Sequence, residues 1–307
     1  MKNAINYFYH LNPDNIHKNN NLIYFMDNGY YYVFRVFNED VSILNMVSDI
    51  SGKMYQNGIY IHQIIANING EYITNIDGIN YVLVRSKDAM ERTITINDII
   101  EFHEKVKYID VSHEKINWSD LWSKKIDYFE YQVNQFGIKY PIIRKSFNYF
   151  IGMAENGISA YNDYGLEYTK YFIVHKRLLT SSKLYDLYDP FNLIYDVKSR
   201  DFSEYIKNYF FSNNENNDAF LVFENNIGLF NFNSYELLLF YIRLLYPSFY
   251  FDVYEKIVEN GEEESKLDII IDNIEKYEIF LKEITLFLEK YITLPNIEWI
   301  KKVVKLN

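Results

Sequence analysis

The residues best suited to chemistry lie between Tyr171 and Lys207. An apolar run leads to His175, a short polar segment follows, and Asp189, Asp196 and Asp201 come after it at spacings of seven and five. Carboxylate oxygens bind magnesium and orient an attacking hydroxyl, and phosphoryl transfer needs both functions. Phosphoryl transfer of the kinase type also requires a catalytic Asp, an Asn and a phosphate-binding lysine.

The loop after His175 lacks two of those residues. A kinase-type loop carries His-x-Asp, with an Asn about five residues further on. Here Arg177 occupies the position of the Asp, and no Asn occurs before Asp189. A guanidinium group can neither accept a proton from a hydroxyl nor bind magnesium. The loop therefore predicts a site that has lost the ability to catalyse phosphoryl transfer.

Two further positions leave alternatives open. The phosphate-binding lysine of such a site stands on the third strand, where this chain has Arg35. A planar guanidinium does not replace an ammonium group there, and an ordinary strand arginine is the other interpretation. Asp49 on the next predicted helix is a candidate partner for Arg35. Asp189 and Asp196 are the candidate magnesium ligands, although Asp189 before Pro190 is equally typical of a turn.

The first part of the chain predicts a small sheet with one helix. Residues 21–37 read as a hairpin around Asn28-Gly29, a pair that tolerates the positive φ angles of a tight turn. Residues 39–57 have helical periodicity, and residues 59–86 read as three short strands. These five strands and one helix form a predicted first lobe, residues 1–86.

Residues 87–307 predict a mostly helical second lobe. The apolar stretch Glu236–Phe251 is interrupted by Arg243 and Pro247, so a buried helix is predicted there and not a membrane span. Two short strands are expected around His175. The predicted helices cover residues 95–107, 118–136, 146–162 and 265–291, begin also at Asp201 and Ser234, and end with 297–304.

Composition excludes several classes of function. The net charge of −11 argues against binding to nucleic acid and to anionic membrane surfaces. The absence of cysteine excludes disulfides, thiolate catalysis and cysteine-bound zinc. The first residues, MKNAINYFYHLNPDN, have no apolar segment of signal-peptide length, which fits synthesis in the cytoplasm.

Three segments resemble a known family, the spore-coat-associated CotS and YutH type of the kinase-like superfamily, related to aminoglycoside phosphotransferases. They are SFNYFIGMAENGISAY (146–161), HKRL (175–178) and NLIYDVKSRDFSEYIK (192–207). The resemblance implies an α+β protein-kinase-like fold with a small β-rich N-terminal lobe and a larger helical C-terminal lobe. It also implies spore coat proteins as partners and a location at the spore coat.

The same resemblance assigns roles to individual residues. Asp201 would brace the backbone of the loop after His175; a plain helix N-cap is the other interpretation, and both can hold together. Leu83, Val84 and Arg85 would supply the backbone groups that bind adenine. ATP and magnesium are the cofactors that a retained site would use.

Three functional hypotheses follow. The first is a catalytically degenerate spore coat component with a structural or interaction role. The second is an active small-molecule phosphotransferase with rearranged metal ligands, Asp189 and Asp196. The third is a pseudokinase that binds nucleotide without turnover. Fold alone does not choose among them, because function depends on the site.

Overall fold

The computed structural model describes residues 1–19, 22–111, 116–164, 170–212 and 218–303. Its strands are β1 (Ile16–Asn19), β2 (Leu22–Asp27), β3 (Tyr30–Val36), β4 (Gln63–Ile65), β5 (Thr74–Ile76), β6 (Ile79–Ser86), β7 (Phe172–His175) and β8 (Leu193–Asp196). Its helices are α1 (Lys2–Tyr9), α2 (Ile43–Gln56), α3 (Ile96–Val106), α4 (Trp118–Phe136), α5 (Pro141–Tyr164), α6 (Leu184–Tyr188), α7 (Ser199–Ser212), α8 (Ala219–Ile227), α9 (Ser234–Leu245), α10 (Ser248–Asn260), α11 (Asp268–Asp272), α12 (Ile274–Leu288) and α13 (Glu298–Lys302).

The chain divides into two compact units. The first unit combines Met1–Ile94, Glu104–Ile109 and Ser181–Ile194, and the second contains Thr95–His103, Asp110–Thr180 and Tyr195–Asn307. The predicted boundary after Ser86 stays a prediction. Among the described residues, no helix has both the length and the apolar character of a membrane span.

The first unit is built on an antiparallel sheet in the order β1-β2-β3-β6-β4, with β5 also paired to β6. The predicted hairpin is confirmed, since β2 pairs with β3 and both Asn28 and Gly29 adopt positive φ. The predicted five strands and one helix are too few for this part of the chain. Strand β1 is polar and helix α1 has only eight residues, and both were missed.

Both faces of this sheet are buried, which explains the continuous apolar run in β6. Tyr81 and Leu83 pack with Ile5 and Tyr9 of α1 on one face. On the other face, Val82 and Val84 pack with Val47 of α2, together with Phe37 and Phe191. Successive strand residues point to opposite faces, so this alternation follows from the strand geometry.

The second unit is helical, and α9 packs against α5 and α7 at its centre. Gly157 of α5 permits this approach, because an added Cβ would lie 3.2 Å from the backbone nitrogen of Tyr246. The predicted span of α4 is confirmed. The two strands predicted around His175 are confirmed as β7 and β8, which pair with each other.

Several predicted helices differ from the observed ones. The single buried helix over 236–251 is wrong, because Tyr246 and Pro247 separate α9 from α10. The helix predicted over 265–291 is interrupted at Asn273, between α11 and α12. Helix α7 begins at Ser199, two residues earlier than predicted. Val304, the predicted end of the last helix, lies outside the described residues.

Candidate functional site

In the first unit, Arg35 and Asp189 form an ion pair. Arg35 Nη1 donates to Asp189 Oδ2 at 2.8 Å, and the guanidinium lies 4.0 Å from the centre of the Phe191 ring. The other carboxylate oxygen accepts the N–H of Phe191 as the cap of a 3₁₀ turn, Pro190–Asn192. Asp49 pairs with Lys53. Both oxygens of Asp189 are therefore engaged by the protein itself.

Arg35 and Asp189 line a cleft of about 850 Å³ within the first unit. Four carboxylates line this cleft and only two permanently cationic side chains, so its charge is negative: Asp14, Glu91, Asp186 and Asp189 against Arg35 and Lys183. Three tyrosine rings also line it, Tyr24, Tyr31 and Tyr185, and burial, followed by Tyr24 and Glu91, raises the pKa of Tyr31 to about 12. A surplus of negative charge disfavours a polyphosphate.

Leu83, Val84 and Arg85 are the residues of the predicted hinge. They lie in β6 with β3 on one side and β4 on the other, and each has a partner residue in both strands. In an antiparallel strand with two neighbours, the backbone N–H and C=O groups are used by the sheet. The hinge role of these three residues therefore stays a prediction, and their pairing with β4 weighs against it.

A chain of hydrogen bonds passes through buried His62 in the same unit. The N–H of Lys87 donates to the Tyr60 hydroxyl (3.1 Å), and this hydroxyl donates to His62 Nδ1 (3.0 Å). His62 Nε2 then donates to the carbonyl of Tyr185 (3.0 Å), which requires a neutral ring with its proton on Nε2. Burial lowers the pKa of His62 from 6.5 to about 4.

Because the pKa of His62 is lowered, we predict that the protein loses stability in acid. Between pH 6.5 and about 4 the unfolded chain binds the proton more readily, so the free energy of unfolding falls as the pH falls through this window. At about 1.4 kcal/mol per unit of pKa difference, His62 accounts for a loss of about 3 kcal/mol. Urea unfolding of wild type and His62→Gln at pH 7 and pH 4.5 measures this loss of unfolding free energy.

The matched control is His17→Gln, the same change at an exposed histidine of the first unit. We expect His62→Gln to lose less stability than wild type on acidification, and His17→Gln to behave as wild type. Equal acid sensitivity in all three proteins would contradict the assignment.

In the second unit, Asp201 fixes the start of the loop after β7. Its Oδ1 accepts the backbone N–H of His175 (2.9 Å), and its Oδ2 accepts His175 Nδ1–H (2.7 Å). His103 Nε2 lies 3.1 Å from the same Oδ2. Asp201 is the third residue of α7, so the N-cap interpretation is wrong. Burial alone would raise its pKa, but His175 and then His103 hold it below its usual range.

One face of α7 holds the rest of this loop. Glu204 binds Arg177, and Asn208 accepts both the N–H and the hydroxyl of Thr180 at 2.8 Å. Arg200 donates to the carbonyls of His175 (2.9 Å) and Lys176 (2.6 Å). Residues 200, 204 and 208 are spaced by four, which places them on one side of a helix.

Arg177 is a half-buried member of a charge network whose other members include the buried Glu204 and Lys207. Besides Glu204, its guanidinium donates to Asp252 at 2.8 Å. Lys207 donates to Glu204 (2.9 Å), to Ser248 Oγ (2.7 Å) and to the carbonyl of Arg243 (2.9 Å). Burial would raise the pKa of Glu204, but Lys207, Arg177 and the neighbouring arginines hold it well below its usual range.

Asp196 joins the same network through two arginines. Its Oδ2 accepts Arg200 Nη1 (3.0 Å) and Arg243 Nη2 (2.6 Å), and its Oδ1 accepts the N–H of Val197 (2.8 Å). The Trp118 ring lies over both guanidinium groups, at 4.5 Å and 4.8 Å from their central carbons. Arg200 is buried.

The structure thus places the predicted site residues in two groups. Arg35 lies with Asp189 in the first unit, and His175, Arg177, Asp196 and Asp201 lie along α7 in the second. Within the described part of the chain, no three His, Asp or Glu side chains form a cluster that could hold a metal. Sequence reasoning missed Glu204, Lys207 and Arg243. Arg243 carried a usable signal, since a charged residue inside an apolar helix needs a buried partner.

Comparison with solved structures identifies the fold. An aminoglycoside phosphotransferase from Alicyclobacillus acidocaldarius matches with a TM-score of 0.62 at 11% identity, over 91% of this chain and 93% of that one. The amicoumacin kinase hAmiN, in complex with AMP-PNP, Ca²⁺ and Ami, matches with a TM-score of 0.57 at 12% identity, over 98% and 96%. The antiparallel N-terminal sheet and the helical C-terminal part therefore form the kinase-like fold of this class, as predicted.

A match to a family model classifies the chain more narrowly than its fold does. Residues 2–284 match the family model described as "Spore coat putative kinase YutH", and the chain belongs to that family. A curated relative, the "Endospore coat-associated protein YutH" of Bacillus subtilis (strain 168), is 27% identical over 175 residues. That match spans about half the length of each protein, 52% of both. The family resemblance read from the sequence is confirmed.

Proposed function

We propose that this chain is a catalytically degenerate kinase-like protein with a structural or interaction role in the spore coat. The observation that carries the proposal is Arg177, which stands where the catalytic aspartate is expected and is held there by Glu204 and Asp252. A guanidinium bound to two carboxylates cannot act as a general base. The coat role rests on the family and on the relative that is named as endospore coat-associated.

The metal and nucleotide positions support the same proposal. Asp189 is occupied by Arg35 and by a backbone N–H, and Asp196 by two arginines and a backbone N–H. Magnesium usually binds one or two carboxylates together with substrate phosphates. Magnesium binding at Asp189 or Asp196 would require breaking these ion pairs. The negative charge of the cleft around Asp189 also disfavours the phosphates of ATP, so ATP and magnesium remain cofactors of the alternative, an active phosphotransferase.

The test is phosphate release from ATP and magnesium by the purified protein, with an active aminoglycoside phosphotransferase as positive control. We expect wild type and Arg177→Ala to give the same rate as a blank without protein. Turnover by wild type that disappears in Arg177→Ala or Asp189→Asn would overturn the proposal.

Thermal unfolding with and without ATP and magnesium separates the two remaining alternatives. We expect no upward shift. A shift without turnover would indicate a pseudokinase that uses nucleotide as a structural ligand, and would contradict the expectation that the cleft no longer binds nucleotide.

Release of the native protein with the coat fraction of spores tests its location, and its absence from that fraction would contradict a coat role.

A further inference from the structure

A small pocket lies within the second unit beside the charge network. Its volume is about 120 Å³, and its lining includes Trp118, Trp122, Arg177, Arg200, Arg243 and Tyr246, together with two carboxylates, Glu204 and Asp252. One water molecule occupies about 30 Å³ of liquid, so a five-atom oxyanion fits this volume. The pocket is therefore small, aromatic and rich in arginine.

Two hydrogen-bonding groups in its lining have no partner. Trp118 Nε1 and the hydroxyl of Tyr246 are both inaccessible to solvent, and neither makes a hydrogen bond among the described residues. Such groups are few in native proteins because each one costs stability, so two in the lining of one pocket need an explanation. The indole N–H can only donate, and a ligand that satisfies it must offer an acceptor.

Arg243 contributes further donors to the same lining. Its side chain is only 4% exposed, and of its five N–H donors the structure uses one, toward Asp196. The central carbon of its guanidinium lies 4.8 Å from the centre of the Trp118 ring and 5.7 Å from that of the Trp122 ring. An arginine fixed in this way is ready to bind an oxyanion through several N–H groups at once.

The charges around the pocket do not balance. Four cationic side chains face three carboxylates in the network, Arg177, Arg200, Arg243 and Lys207 against Asp196, Glu204 and Asp252. The Lys125–Glu255 pair at the rim adds no net charge. Burial, together with repulsion by the cations Arg177 and Arg243, lowers the pKa of Lys207 to about 8. A single negative charge would neutralise the network.

We propose that this pocket binds a small oxyanion, a phosphate or a carboxylate, through Arg243, Arg177, Trp118 Nε1 and the Tyr246 hydroxyl. One ligand of this kind would satisfy both unpartnered groups, use the remaining donors of Arg243 and balance the surplus cation. The replacement of a catalytic carboxylate by Arg177 thereby converts a position for a base into part of an anion site. The proposal does not depend on whether the protein turns over ATP.

The test uses inorganic phosphate without metal, with sodium chloride at matched ionic strength, and follows thermal unfolding and calorimetric binding. Tyr246→Phe removes only the hydroxyl and keeps the ring that stacks on Trp122 at 4.4 Å. We expect this variant to bind phosphate about tenfold more weakly, the effect of one lost hydrogen bond to a charged ligand. Without phosphate its Tm should equal or exceed that of wild type, since a buried unpaired group is gone.

The control is Tyr250→Phe, whose hydroxyl contacts Ser146 Oγ at 2.9 Å and does not line the pocket. It should keep the full phosphate-dependent shift. Phosphate also stabilises proteins by exclusion from their surface, an effect that all three proteins would share. An equal shift in wild type and Tyr246→Phe, with no saturable binding, would overturn the proposal.

Acetate, tested in the same way, identifies the source of the oxyanion. Tyr246-dependent binding of acetate at lower concentrations than phosphate would point to a carboxylate, and the reverse order to a phosphate. Saturable binding of neither anion would overturn the proposal.

Discussion

Replacing Glu204 by Gln should lower the free energy of unfolding by about 3–5 kcal/mol, the usual cost of breaking a buried ion pair on one side. Glu204 is 7% exposed on its side chain and binds both Lys207 and Arg177. Without it, Lys207 would be a 2%-exposed cation among arginines. The network already carries surplus positive charge, so loss of a carboxylate increases the imbalance.

The matched variant is Lys207→Met, which removes the opposite member of the same pair. Glu204 would keep Arg177 and the Ser248 hydroxyl, and the surplus of positive charge would fall. The cost should be about 1–3 kcal/mol, mainly from the carbonyl of Arg243 that loses its donor. Urea unfolding at pH 7 followed by circular dichroism measures both. A greater loss in Lys207→Met than in Glu204→Gln would refute the charge argument.

Replacing Asp201 by Asn should cost about 3 kcal/mol at pH 7, because an amide presents an N–H group to one of the donors that the carboxylate now accepts. The folded pKa of Asp201 lies below that of the unfolded chain, so its contribution is complete at neutral pH and is lost in strong acid. Hydrogen exchange at the His175 amide should accelerate in the variant.

Asp163→Asn is the control for this change, since Asp163 is an exposed carboxylate near the end of α5. Its effect should stay within about 0.5 kcal/mol. If Asp201→Asn were equally mild, or if the His175 amide kept its protection, Asp201 would not be the residue that holds this loop.

The fold class could be predicted because local signals agreed with it. Asn28-Gly29 between two β-rich runs, and the regular apolar spacing of α4, are patterns of single elements that need no knowledge of tertiary contacts. Strand β1 could not be found in this way, since Ile16–Asn19 has only one apolar residue. The break at Asn273 was hidden because the apolar residues of α11 and α12 continue a helical period across it.

The site was harder to predict than the fold. The loss of the catalytic residues could be read directly from His175-Lys176-Arg177. The network around Arg177 could not, because Glu204 and Lys207 at a spacing of three look like an exposed helical pair. Helix α9 packs against α7, and Arg243 and Ser248 contact Lys207, so the pair is buried by distant segments that leave no local trace in the sequence. The pairing of β4 with Leu83, Val84 and Arg85 also left no local trace, since β4 lies outside their own hairpin.

The composition of the first unit has a consequence for how the protein is made. Its sheet is complete by Ser86, but Asp189 and Phe191, which bind Arg35 and cover Val82 and Val84, arrive with residues 181–194. At a synthesis rate of about 5–20 residues per second, the hundred residues from 94 to 194 take roughly 5 to 20 seconds. During that time the part of the sheet face that Phe191 covers lacks its partner, so we expect this face to complete its packing only after residue 194 has been synthesised.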